Sequence, residues 1–280
     1  MARLFAATLA VAAFTFAHLS VAQLKPPSGD YQPQVGQPGK DVVWVPTPDG
    51  LVERMLTMAQ VTSNDYVVDL GSGDGRTVIA AHKRFGARAM GVEFNPEMVA
   101  LSQRNAQREQ VNPERARFVR GDIFETNFTD ATVVTMYLLP GLNLRLRPQL
   151  LKMTPGTRLV SHQFTMEDWQ PDETSYFDFR PAYLWIVPAQ IQGAWRMNLG
   201  GANLDFDLEK TFQRLRGTAS YGQIRAGLRD PAIKGDNISF TLVDQKGVQH
   251  DFVGKVAGDK MEGSFRAGAQ SGSWSATRRT

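Results

Sequence analysis

Residues 66–80 read YVVDLGSGDGRTVIA. An apolar run carries Asp69 near its end, glycines follow at every second position (Gly71, Gly73, Gly75), and Val78, Ile79, Ala81 and Phe85 then place apolar side chains along one side of a helix. A strand, a glycine-rich turn and a helix make a nucleotide site, because the backbone can approach a ligand closely and the helix N-terminus presents free N–H groups. Spacing and charge decide between ligands. A dinucleotide fingerprint needs G-x-G-x-x-G, but Arg76 stands at the third glycine position and the glycine falls at Gly75 instead. Asp69 beneath the loop and Asp74 within it are poor company for a pyrophosphate, since like charges in a cleft repel.

Two carboxylates suit a cofactor that lacks phosphate and carries an ammonium and a sulfonium, which describes S-adenosylmethionine. Asp69 is then expected to hold the amino-acid end of that cofactor, directly or through water. Asp74 reads equally well as the N-cap of the helix that starts at Arg76. Glu93, at the end of the next apolar run (Ala87 to Phe94), is placed to accept both ribose hydroxyls. Asp122, in RGDIF, is placed to accept from an adenine amino group, or else is an ordinary turn aspartate. Asp69, Glu93 and Asp122 are 24 and 29 residues apart, close to one βα repeat each, so all three are expected on the carboxyl edge of one sheet.

The surrounding chain supports that sheet. Strands are expected at 66–70, 87–94, 117–120, 131–138 and 157–164, separated by helical patterns, which implies right-handed βαβ units and a parallel sheet. Asn95-Pro96 opens one helix with a capping residue and a proline at its first position, and Ser175 to Val187 reads as a closing antiparallel hairpin. After Pro188 the helical period disappears. NLDFDLE (203–209) and NISFTLV (237–243) alternate strictly, and IKGDNISF (233–240) and VAGDKMEGSF (256–265) look like two copies of one Gly-Asp hairpin. This predicts an antiparallel meander or small barrel whose aromatics (Trp195, Phe206, Phe240, Phe252, Phe265, Trp274) form a core.

The expected organisation is a signal peptide at 1–22, a Pro/Gly-rich linker at 23–40, a cofactor-binding domain at 41–187 and a β domain at 188–280. Arg3 followed by an apolar run from Leu4 to Leu19 and the small residues Ser20-Val21-Ala22 carry the export reading, with an uncleaved membrane anchor as the alternative. The chain has no cysteine, so disulfides and thiolate chemistry are excluded. A net charge of +3, with no basic run, gives no reason to expect nucleic acid. His82 and His250 have no spaced partner, and no metal site is expected.

DLGSGDG, GVEFNPEM and RGDIF together resemble the motifs of class I S-adenosylmethionine-dependent methyltransferases over about Val43 to Val187. VPTPDGLVERML and VVTMYLLPGLNLRLRPQL add a resemblance to a small group of protein-lysine methyltransferases that includes the enzymes modifying the membrane subunit of ATP synthase, and their bacterial relatives. The resemblance implies a Rossmann-like α/β fold, a protein methyl acceptor, and Thr47 and Pro48 capping the cofactor pocket. The leader and the β-rich tail depart from that group. Tyr137, after the fourth strand, is the candidate for orienting an amine, against packing under the sheet edge. His162, after the fifth, is the candidate proton acceptor, against a hydrogen-bonded structural place. The competing function is an exported envelope-binding protein that keeps the cofactor fold without turnover. Membrane or envelope association follows from the leader under either reading.

Overall fold

Asp49–Met58 forms helix α1, and the glycine turn leads into α2 (Arg76–Phe85). α3 (Pro96–Arg108) starts as its sequence requires: the Asn95 side chain accepts the Glu97 N–H at 2.8 Å and Pro96 occupies the first helical position. The structure is a computed structural model that describes residues 31–199, 202–221 and 224–279. The expected signal peptide and the first part of the expected linker lie outside the described residues.

Five strands run parallel: β1 (Tyr66–Leu70), β2 (Arg88–Glu93), β3 (Ala116–Arg120), β4 (Val133–Met136) and β5 (Arg158–His162), with α4 (Pro140–Leu150) between the last two. The hairpin of β6 (Glu173–Phe177) and β7 (Arg180–Ile186) closes the sheet, β7 antiparallel to β5, in the order β3-β2-β1-β4-β5-β7-β6. This is the mostly parallel, Rossmann-like sheet expected. β1 lies between β2 and β4, so the chain crosses to the other half of the sheet there and leaves a crevice at the carboxyl ends of the strands. Apolar side chains pack on both faces of this sheet, one core under α1 to α3 and another around Met136, Leu146, Trp169 and Trp185.

The rest is antiparallel: β8 (Gly193–Leu199), β9 (Ala202–Thr211), β10 (Arg214–Tyr221), β11 (Ile224–Gly227), β12 (Arg229–Lys234), β13 (Asn237–Val243), β14 (Gln249–Ala257), β15 (Lys260–Ala267) and β16 (Gln270–Arg278). β9 pairs with both β8 and β10, so eight strands close into a barrel, with β11 as a short addition on β10. Closure removes the free edges that a meander would leave. Both Gly-Asp sites are hairpin turns, Gly235 between β12 and β13 and Gly258 between β14 and β15. Trp195, Phe206, Phe240, Phe252 and Trp274 are buried inside, and Phe265 packs against them.

The barrel is docked on the α/β part. Phe212, in the β9–β10 turn, stacks on Trp169 with centroids 5.7 Å apart, and Gln213 donates to the Gln170 carbonyl at 2.6 Å. The described residues from Gln32 onward belong to one compact unit.

Candidate active site

The glycine loop after β1, Glu93 at the end of β2, Asp122 after β3 and Tyr137 after β4 surround one cavity of about 310 Å³, at the low end of the range for small-molecule sites. Thr47, Asp69, Gly71, Gly73, Glu93, Asp122 and Tyr137, all expected in the site, line it. Gly73 has φ of +52°, and a Cβ there would meet the Trp44 indole nitrogen at 2.8 Å, so the loop passes directly beneath that ring. Gly75 corrects the expectation of a third cofactor-binding glycine. It is absent from the cavity wall, and a Cβ there would meet the Phe118 ring at 2.7 Å and Ser102 at 2.8 Å. Its role is to let the start of α2 pack against β3 and α3.

The acids are held by different means. Glu93 accepts the Gly73 N–H at 3.0 Å on one oxygen and the Asn95 N–H at 2.9 Å on the other, which fixes its carboxylate while leaving lone pairs unused. Asp122 accepts the Phe124 N–H at 3.0 Å and pairs with Lys40; that pairing, then the backbone N–H, holds its carboxyl below the usual range. The N-cap position of α2 is Gly75, not Asp74, but the Asp74 carboxylate, one residue earlier, accepts the Arg76 N–H at 3.3 Å. Asp74 also takes the Arg76 guanidinium at 2.6 Å, while Arg76 donates to the Thr47 carbonyl at 3.0 Å. The residue that breaks the dinucleotide pattern thus ties the segment before α1 to the glycine loop.

Asp69 is buried and accepts the Thr135 hydroxyl at 2.6 Å. Burial, reinforced by the nearby Asp74 and Glu93 charges, pushes its carboxyl up to about 7. With the folded value above the unfolded one, the folded protein holds the extra proton, so the free protein loses stability as pH rises from about 4 to about 7. A cationic ligand prefers the ionised form, so S-adenosylmethionine affinity is expected to rise with pH through about 7. Calorimetric titration at several pH values checks this, and Asp69→Asn should remove that component.

The far wall is aromatic. Tyr137 packs against His162 with centroids 3.8 Å apart and ring planes tilted by 32°, and stacks at 6.1 Å on Phe164. The buried Asn143 amide donates to the Phe164 and Thr165 carbonyls, both at 3.3 Å, and so sets this segment. His162 corrects the expectation of a proton acceptor. It is only 2% exposed, sits behind Tyr137 rather than on the cavity wall, and shares a 3.0 Å hydrogen bond with Thr47 Oγ1. Desolvation, aided by the Arg180 charge, lowers its pKa to about 4, so it is neutral at pH 7. Its place is to position Tyr137 and Thr47.

Sequence reasoning missed the roof. Residues 34–44 were expected to belong mostly to a linker, yet Gly36 N–H donates to the Trp44 carbonyl at 2.8 Å and Trp44 N–H to the Gln37 carbonyl at 2.9 Å, closing a small hairpin. It brings Trp44 over the glycine loop and Lys40 onto Asp122, with the Lys40 ammonium 4.7 Å from the Phe94 ring centroid. Only Val42-Val43-Trp44, an apolar triplet after a Pro/Gly stretch, hints at it in the sequence.

Strand order, a glycine loop with acids at three strand ends, and a cavity that a phosphate-free adenosine cofactor fits define the class I S-adenosylmethionine-dependent methyltransferases. Residues 69–173 match the family described as the ANTKMT methyltransferase domain. The chain is 46% identical over 134 residues to a protein-lysine N-methyltransferase of Saccharolobus islandicus, covering 47% of this chain and 83% of that enzyme. It is 35% identical over 133 residues to a Rattus norvegicus lysine N-methyltransferase named for a component of ATP synthase, covering 47% of this chain and 60% of the rat enzyme. Among solved structures, an RNA methyltransferase from Salinibacter ruber in complex with S-adenosyl-L-homocysteine is 45% identical with a TM-score of 0.51, covering 52% of this chain and 96% of that one. The chain belongs to the protein-lysine N-methyltransferase family and is an S-adenosylmethionine-dependent methyltransferase.

Proposed function

We propose that this methyltransferase acts on the ε-amine of a lysine in a protein. The observation that carries the reading is the 46% identity spanning most of the length of the Saccharolobus islandicus protein-lysine N-methyltransferase. The cavity is compatible with it: five carboxylates line it against two cations, Lys40 and Arg76, so it favours a cationic cofactor and a lysine over a phosphate chain. That balance disfavours RNA, the acceptor class named for the Salinibacter ruber relative.

Bound S-adenosylmethionine supplies a methyl group already activated by its sulfonium. The residues of this chain have to hold, align and dry the reactants. In this reading Glu93 accepts the ribose hydroxyls, Asp122 meets the adenine end, and Asp69 with Gly71 and Gly73 receives the amino-acid end. Thr47 closes that side, Trp44 roofs the loop and excludes water, and Tyr137 with nearby backbone carbonyls orients the amine. The amine attacks only when neutral, so its proton has to leave before transfer. Neutral His162 keeps Tyr137 in place without adding a charge.

The expected result is incorporation of label from S-adenosylmethionine into lysine side chains of candidate proteins, located by mass spectrometry, with little into total RNA offered at equal mass. Label confined to RNA overturns the reading. We propose further that residues 1–22 direct export and that residues 41–187 and 188–280 are the catalytic and β domains. N-terminal sequencing of the protein from its native host tests the first, a mature start near Gln23 being expected. Limited proteolysis near Pro188 tests the second.

A further inference from the structure

We infer that the β6–β7 turn is the docking prong for the methyl acceptor, and that the acceptor presents its lysine on an apolar polypeptide segment. The inference rests on the lysine reading above. β7 runs antiparallel to β5 with Ala182 opposite His162, so the turn at Asp178 and Phe179 projects past the carboxyl edge of the sheet, the edge that holds the cavity. Phe177 anchors it there, because its ring lies directly on Gly50 in the first turn of α1, three residues after Thr47 of the cavity wall.

The tip itself is exposed. Phe179 is 96% exposed and Tyr176 63%. Asp178 and Phe179 are the two residues of a tight hairpin turn and both are left-handed, at φ of +48° and +61°. Glycine is the usual occupant of the second position of such a turn. A phenylalanine there carries a backbone penalty and leaves its ring in water, two unfavourable features for which the fold shows no packing return. Strain kept at an exposed position marks a functional contact.

The partner's chemistry follows from the rim. Of the eleven exposed large apolar side chains among the described residues, seven lie at this edge: the three of the hairpin, together with Val43, Val45, Phe94 and Leu139 around the cavity mouth. An apolar rim of this kind marks an interaction surface. Behind it the cavity has its excess of carboxylates, complementary to a cation. An apolar lip around an acidic opening fits a lysine flanked by apolar residues, and fits neither a polar loop nor a nucleic acid.

The test compares the full chain with Phe179→Gly and with a Tyr176→Ser/Phe179→Gly double variant. The probes are two synthetic peptides with one central lysine, flanked by Leu, Val and Phe in one and by Ser, Thr and Asp in the other. The native enzyme is expected to prefer the apolar peptide, and Phe179→Gly to lower kcat/KM for it roughly tenfold, the effect of losing one aromatic anchor. Glycine relieves the turn, so the melting temperature should hold or rise, and S-adenosylmethionine affinity by calorimetry should not move. Methylation that is equal for the two peptides, or unchanged in both variants, overturns the prong while leaving the lysine reading intact. Methylation of RNA but of neither peptide overturns both. Loss of phospholipid-vesicle co-sedimentation in the variants, without loss of peptide methylation, assigns the prong to a lipid surface and overturns it as an acceptor contact.

Discussion

Glu93→Ala is expected to weaken S-adenosylmethionine binding at least roughly tenfold. Two hydrogen bonds from ribose hydroxyls to a carboxylate are worth about 1.5–3 kcal/mol each before water compensates for their loss. The structure adds a second contribution. The same carboxylate accepts the N–H groups of Gly73 and Asn95, at 3.0 and 2.9 Å, so its removal also releases the glycine loop from the end of β2. Glu93→Gln should be milder, because the amide oxygen retains one of these roles. Isothermal calorimetry on folded variants is the measurement. Unchanged affinity in Glu93→Ala would falsify the ribose assignment, whereas a change confined to thermal stability would mark Glu93 as a structural acid.

Trp169→Ala is expected to destabilise the protein by about 3–5 kcal/mol, the range for removing a large buried aromatic. At this chain length that lowers the melting temperature by roughly 10 °C. Trp169 is fully buried, stacks on Phe212 of the barrel, and lies 6.2 Å from the ring of Trp185, whose indole N–H donates to the Trp169 carbonyl at 2.7 Å. Arg147 places its guanidinium 5.4 Å from the Phe212 ring centroid. One side chain therefore serves the α/β core and the barrel contact together, and calorimetric scans should show one shared transition in the native protein. In the variant the barrel is expected to melt separately. A single transition within two or three degrees of the native one, on the same scale, would show that the two parts do not depend on this contact.

The local elements of the α/β part were legible because their signals are local. Tyr66 to Leu70 is a strand in both sequence and structure, Asn95-Pro96 caps α3, and the Gly-Asp pairs at Gly235 and Gly258 are turns. The line of acids at Asp69, Glu93 and Asp122 was legible because a parallel βα repeat returns each strand end to the same edge. The sequence left two roles open for His162, and its burial and bond to Thr47 favour the structural one; strand position alone does not tell which way an imidazole faces. The Gln34–Trp44 hairpin was missed because two arms joined by a single bridge, Pro38 opposite Val43, have no period to detect.

The sequence alone therefore determined the alternation of strands and helices, the glycine loop, the cofactor class, and the change of architecture near Pro188, all properties of spacing along the chain. Only the tertiary structure decided what depends on distant partners. It set Arg76 bridging Asp74 and the Thr47 carbonyl, Trp44 and Lys40 over the cavity, His162 behind Tyr137, and β9 joining β10 and β8 to close the barrel. It also left Phe179 in water at the tip of the β6–β7 turn. Those outcomes rest on contacts between residues tens of positions apart, where local propensity carries no information and packing and hydrogen-bond satisfaction select the arrangement.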